Sequence, residues 1–393
     1  MAHLLLRGAK QLLTLRGPRG VRRGVALREL GIITDGSVLV RDGRIVEVGS
    51  TRRIENLKEA RDAIEIFADG RILVPGFVDA SLSLKVETDE SNGGKSFHKR
   101  KSIINFHEGS LGLLRACLQH GTLTADVKAS GGERYRSLDL PALRKLADIG
   151  SNPISTVRTW HVGHTPESQA DENLLSILAT LDRRRLIHFI EFSGESGHAI
   201  DLQLLSRVVD SNIGIKLAWP GGLEDELLRC LQQFCPAAVY CPAPIFLTAE
   251  ETAVLAASSS IAVLGAGKEV FEGPISRIGR DLVDAGAAVA LSSGYDSSSA
   301  ASFSMQMSIS LAVVRLGLTV EEAFSAATIN AAYAAGCGDR IGSIEIGKKA
   351  DMLLLNASDY RDVPNQFGVN HVDMVIRDGN VVLNRTRWKA MTS

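Results

Sequence analysis

Eight short runs rich in apolar and β-branched residues alternate with helix-patterned stretches through the middle of the chain, and this alternation constrains the fold more than any other feature. The runs are Ile72–Val78, Leu123–Val127, Ile154–Trp160, Leu186–Glu191, Ile213–Leu217, Ala238–Cys241, Ile261–Leu264 and Val289–Ser292. Short, near-continuous apolar runs are the pattern of parallel strands buried on both faces. Helix start signals lie among them. Thr248-Ala-Glu-Glu251 and Thr319-Val-Glu-Glu322 read as capping boxes, in which the Thr hydroxyl and the Glu carboxylate satisfy orphan backbone N–H groups. Asp201 precedes Leu204, Leu205, Val208 and Val209, an apolar helix face. Eight β/α alternations predict an α/β protein with a (β/α)8 TIM-type barrel, the rival being an open doubly wound sheet.

The two chain ends resemble each other. Gly36–Gly49 reads as two β runs joined at Asp42-Gly43, and Asp373–Leu383 repeats the scheme around Asp378-Gly379. Asp-Gly between such runs marks a tight hairpin, because the turn needs positive φ. Ala350–Leu355 adds another strand. Residues 1–73 plus 340–393 are therefore expected to form a composite β-sandwich, with 74–339 as the barrel inserted in it.

Composition removes several function classes. The 393 residues are 45% hydrophobic and carry 44 Lys and Arg against 45 Asp and Glu. That net charge of −1 lacks the basic excess of a nucleic-acid binder. No apolar run approaches the roughly 18–20 residues that cross a bilayer, so no membrane partner is expected. The five cysteines are sparse and odd in number, which points to reduced thiols in a cytoplasmic compartment. Cys230, Cys235 and Cys241 lack the spacing of a zinc knuckle and are read as buried structural thiols. Arg16, Arg19, Arg22, Arg23 and Arg28 are read as a basic loop between strands.

Chemistry in a (β/α)8 barrel sits at the C-terminal ends of the strands. Pro75-Gly76-Phe77-Val78-Asp79 resembles the signature that opens the barrel of the amidohydrolase superfamily. Ala326–Ala332, Ile341–Leu355, Asp359-Tyr360 and Phe367-Gly-Val-Asn370 are similar to imidazolonepropionase and its relatives. That resemblance implies hydrolysis of a non-peptide C–N bond in a cyclic amide, one zinc or iron ion, and a homodimer. The residues at the implied ligand positions depart from it. Ser81 and Ser83 stand where a His-x-His pair is expected. The remaining ligand positions fall at Leu217, Ala243 and Gly294, with Asp296 the nearest carboxylate to the last. No metal cofactor is therefore predicted.

Magnitudes give that loss its weight. A bound metal takes water from a pKa of about 15.7 to about 7, on the order of 12 kcal/mol of hydroxide activation. General base catalysis alone gives about 10²–10⁴-fold, roughly 3–5 kcal/mol. The expectation is a degenerate homologue, a pseudoenzyme that binds a small molecule or a partner subunit. Two alternatives stand beside it. One is an active hydrolase with a relocated or metal-free site drawn from His161, His164, Lys128, Glu195 and Asp296. The other is a structural subunit pairing with an active paralogue. Each candidate has an ordinary reading too. Lys128 can snorkel to solvent, Glu195 competes with Glu191 as a solvated carboxylate, and Gly265-Ala-Gly-Lys268 is a tight strand–helix turn rather than a phosphate loop.

Overall fold

The computed structural model describes residues 3–85, 103–130, 140–150, 152–162, 171–193, 200, 202–209, 211–219, 221–222, 224–241, 247–266, 274–295 and 302–385. From the N-terminal end come β1 (Leu4–Leu13), β2 (Ile32–Arg41), β3 (Arg44–Ser50), β4 (Ile64–Phe67) and β5 (Ile72–Pro75). The middle contributes β6 (Phe77–Lys85), β7 (Thr122–Ser130), β8 (Ser155–Val162) and β9 (Phe189–Ser193). It continues with β10 (Gly214–Ala218), β11 (Ala238–Cys241), β12 (Ile261–Gly265) and β13 (Ala288–Ser292). The C-terminal end adds β14 (Met352–Leu355), β15 (Val372–Arg377) and β16 (Asn380–Asn384).

Strands from both ends share one sheet, ordered β16-β15-β14-β5-β1-β2-β3, with β4 also paired to β1. Its two hairpins turn as the Asp-Gly pairs predict. Asp42 and Gly43 hold φ of 51° and 76°, and Asp378 and Gly379 hold 46° and 74°. The turns meet: a Cβ on Gly379 would lie 3.0 Å from the Gly43 Cα, so glycine is what lets the two backbones touch.

One predicted strand divides in two. The run Ile72–Val78 is not a single barrel strand, because β5 stays in the end sheet and β6 opens the barrel. The crossing is at Gly76, where a Cβ would lie 2.3 Å from Leu123 Cδ1. The Gly76 N–H donates to Asp351 in the end sheet, and the next N–H, of Phe77, donates to Gly121 beside the barrel.

Strands β6 to β13 form the second sheet in strict chain order, each neighbour pair parallel. A doubly wound sheet reverses its strand order near the middle, so this order excludes it. Each barrel strand is followed by a helix, namely Ile103–Gln119, Leu140–Ile149, Asp171–Arg183, Leu202–Val208, Glu224–Phe234, Ala249–Ala257, Ile278–Asp284 and Met305–Arg315. Both capping boxes form, and their glutamates reach further. Glu251 also accepts from Trp219 Nε1 at 2.7 Å, and Glu322 from Arg28 and Arg280 at 2.9 Å.

The barrel closes through Asp79 and Ser293. The Ser293 N–H donates to Asp79 Oδ1 at 3.0 Å, its hydroxyl donates to Oδ2, and the Ser83 N–H reaches the Tyr295 carbonyl at 2.9 Å. Burial pushes the Asp79 carboxyl up to about 6 against the pull of the Ser293 and Ser81 hydrogen bonds. The folded state thus keeps this proton longer than the unfolded chain does. Stability is expected to fall as pH rises from about 4 to about 6, by ~3 kcal/mol, and to stay lower above that window. Asp79→Asn, which keeps an acceptor for both N–H groups, should flatten this slope and unfold at no lower urea concentration than wild type at pH 8. A loss of several kcal/mol at pH 8, with the slope retained, would contradict this reading.

The opposite end of the barrel is plugged. Val21 packs against a cluster that includes the strand-start residues Ala238, Ile261 and Ala288 and residues of the helix Ile329–Ala334. The basic loop holds it there: the Arg22 N–H donates to Asn330 Oδ1 and its guanidinium to the Leu15 carbonyl, both at 2.8 Å, while the Gly24 N–H reaches Ala287. All five cysteines are free thiols, and one departs from expectation. Cys235 is exposed, because it follows the last residue of the helix Glu224–Phe234 with φ of 43° and turns away from the helix–barrel layer that buries Cys230. Among the described residues no helix is long and apolar enough to cross a membrane.

Candidate functional site

Alternation along each strand decides what lines the barrel. Trp160, Val162, Ile190, Phe192, Ile215, Leu217, Val239, Cys241, Leu264 and Leu291 share one cluster with helix residues such as Leu205, Leu227 and Leu282, so they face outward. The residues between them face in. Two ion pairs occupy that interior. Lys216 on β10 pairs with Asp126 on β7, whose other oxygen accepts the Thr159 hydroxyl at 2.6 Å. Lys128, two residues beyond Asp126 and on the same face, pairs with Glu191 on β9 at 2.7 Å. The same Glu191 Oε1 contacts His161 Nδ1 at 2.8 Å.

Each ammonium also lies over an aromatic ring. Lys128 Nζ is 3.8 Å from the Tyr240 ring centroid, and Lys216 Nζ is 4.1 Å from that of Phe189. Burial by itself would raise the Glu191 carboxyl, but the Lys128 ammonium and the His161 hydrogen bond outweigh it and hold the group near 2. The side chains of Lys128 and Glu191 are 6% and 2% exposed, and that of His161 is 29%. Glu191, His161 and Lys128 therefore form the charged floor of the barrel near its C-terminal mouth, with His161 as the member that reaches solvent.

The predicted site residues fall unevenly. His164, Glu195, Asp296 and Ala243 lie outside the described residues. Lys128 does not snorkel to solvent, and Glu191 is not a solvated carboxylate, because each is the other's partner inside the barrel. Leu217 does not occupy the cavity. It faces the helices, and Ala218 is the inward position at the end of β10. Ser83 is in register with Lys128 on the neighbouring strand. Gly294 has φ of 60°, and a Cβ there would sit 3.3 Å from Gly265 Cα, a close but not prohibitive approach; the position carries glycine and so supplies no side-chain donor. Sequence reasoning passed over Lys216, Asp126 and Tyr240. Their signal was a charge or a phenol inside a run otherwise read as an apolar strand.

Comparison with known proteins fits this geometry to a lineage. The Amidohydrolase family model matches residues 268–382. An imidazolonepropionase from Chloroflexus aggregans is 31% identical, the match covering 97% of this chain and 98% of that one. The chain belongs to the imidazolonepropionase family. A second imidazolonepropionase, from Bacillus velezensis, is 30% identical over 97% of each chain. Among solved structures, an adenosine deaminase from Xanthomonas campestris with bound zinc superposes with a TM-score of 0.68 at 16% identity, covering 98% of this chain and 93% of that one. A triazine hydrolase from Arthrobacter aurescens gives 0.70, also at 16%, covering 100% and 99%. These two likenesses concern the fold.

The imidazolonepropionase resemblance implies one divalent ion, and the side chains that the described residues place at the implied ligand positions do not fit it. Serine hydroxyls are poor ligands for such an ion, and alanine and glycine side chains offer none. Among the described residues, no group of three or more His, Cys, Asp or Glu side chains is arranged to hold a metal.

Proposed function

We propose that this chain is a degenerate member of the imidazolonepropionase family, one that binds a small polar ligand over the Lys128–Glu191–His161 floor and does not use metal-activated water. The observation that carries the proposal is the set of positions at the strand ends, where Ser83, Ala218 and Gly294 stand in place of imidazole and carboxylate donors. The family fold supports the ligand-binding half. Its barrel ends in a mouth whose floor presents a hydrogen-bonding imidazole beside a neutralised ion pair. The reference reaction is the one in the relatives' name, hydrolysis of imidazolonepropionate. Turnover of that compound is expected to be unaffected by added zinc or iron, and calorimetric titration with the stable analogue imidazolepropionate is expected to give saturable binding. Metal-stimulated turnover would overturn the first half of the proposal, and the absence of binding the second.

A further inference from the structure

We propose that His161 is the proton-transfer group of this barrel, positioned by Glu191, and that it promotes attack of water on the carbonyl carbon of a small cyclic amide with no metal ion. The inference rests on the reading that the mouth holds a small ligand. Its argument is the hydrogen-bond order of the three residues. Glu191 Oε1 receives Lys128 Nζ at 2.7 Å and His161 Nδ1 at 2.8 Å. A carboxylate accepts and cannot donate, so the hydrogen of this contact belongs to Nδ1. In the neutral ring the lone pair then sits on Nε2, the nitrogen that Glu191 does not engage.

Lys128 and Glu191 are buried, while the His161 side chain is 29% exposed at the penultimate position of β8 with Nδ1 already engaged by Glu191, so Nε2 is the ring nitrogen left to meet a ligand. Among the described residues, the charged groups around it are Lys128 and Asp126 on β7, Glu191 on β9 and Lys216 on β10, with the Lys128 ammonium over the Tyr240 ring on β11. Each ion pair is neutral within itself, and the imidazole is the group of this floor that reaches solvent. A carboxylate that fixes one ring nitrogen and exposes the other orients a general base.

The step balances without a co-reactant. A water O–H bond breaks, its proton goes to Nε2, the water oxygen bonds to the carbonyl carbon, and the carbonyl pair moves to oxygen. When the tetrahedral intermediate collapses the ring C–N bond breaks, and the departing nitrogen takes the proton from Nε2. His161 ends as it began.

Two measurements on the full-length protein test this. The first is the ¹⁵N spectrum of His161 at pH 8, assigned with His161→Gln. Protonated Nδ1 with unprotonated Nε2 is expected in wild type, a mixed tautomer in Glu191→Gln, and recovery in Glu191→Asp. A wild-type ring protonated on Nε2 and not on Nδ1, or a ring unchanged in Glu191→Gln, overturns the positioning. The second is turnover of imidazolonepropionate, hydantoin and dihydrouracil in excess chelator. Slow, chelator-insensitive hydrolysis of at least one is expected, about 100-fold or more weaker in His161→Gln. Turnover unchanged in that variant, or none for all three compounds, overturns the proton-transfer role. Imidazolepropionate binding reads separately: its absence in wild type removes the ligand-binding reading while leaving the tautomer result standing.

Discussion

Lys128→Met is expected to cost about 3–5 kcal/mol of folding stability at pH 7, read as a lowered urea midpoint, because it strands a buried carboxylate. Glu191 is 2% exposed in its side chain and, among the described residues, keeps His161 as its partner once the ammonium is gone. The pH dependence gives the mechanism its signature. In wild type the Glu191 carboxyl is held near 2 against an ordinary 4.5, so its stabilising contribution is complete above 4.5 and lost as pH falls from there toward 2. In the variant, burial is no longer opposed by Lys128 and raises this group instead. The deficit should therefore shrink as the pH is lowered and Glu191 takes up a proton. A double variant, Lys128→Met with Glu191→Leu, should recover much of the loss, since an apolar pair of similar volume removes both desolvation costs. A single variant within 1 kcal/mol of wild type at pH 7 would show that the pair is solvated.

Lys216→Met should be of comparable size, about 3–5 kcal/mol, for the same reason applied to the other ion pair. Asp126 is fully buried, and after the substitution it retains only the Thr159 hydroxyl among the partners described above. Arginine is not a remedy here. The Lys216 ammonium lies over the Phe189 ring with 3% of its side chain exposed, and a planar five-donor fork would need acceptors that a single carboxylate cannot supply. Because Asp126 and Lys128 are two residues apart on one face of β7, the two lysine variants should be non-additive when combined. Additivity would mean that the pairs do not feel each other, contrary to a shared interior. Imidazolepropionate binding should survive Lys216→Met, since that pair does not include His161; loss of binding in a folded variant would shift the floor of the site onto Asp126.

The fold was legible because its signals are local. Asp42-Gly43 and Asp378-Gly379 announce positive-φ turns, and Thr248–Glu251 and Thr319–Glu322 announce helix starts, each within four residues of chain. Gly76 was the exception. An unbroken apolar run hid the change of sheet, because the divide is set by how closely Leu123 approaches and not by any break in hydropathy. The site was less legible for a geometric reason. Moving one residue along a strand exchanges inside for outside, and so Leu217 was taken for the cavity position that Ala218 holds. The ion pairs were invisible for another. Asp126 finds its partner 90 residues away across the barrel, and a lysine in a strand looks solvent-bound until the carboxylate opposite it is known. The serines and the glycine at the implied ligand positions needed no structure to be noticed. What the fold adds is that Ala218, rather than Leu217, is the inward position at the end of β10, and that a buried Lys128–Glu191 ion pair lies beside the mouth.

Elemental analysis bears most directly on the proposal that the barrel mouth holds no metal ion. The full-length protein, purified from zinc- and iron-supplemented medium without chelator, should carry well under one transition-metal ion per chain, with a melting temperature indifferent to chelator because no bound ion stabilises the folded state. One tightly held ion per chain, together with a fall of several degrees when it is stripped, would mean that the barrel mouth grips a metal after all.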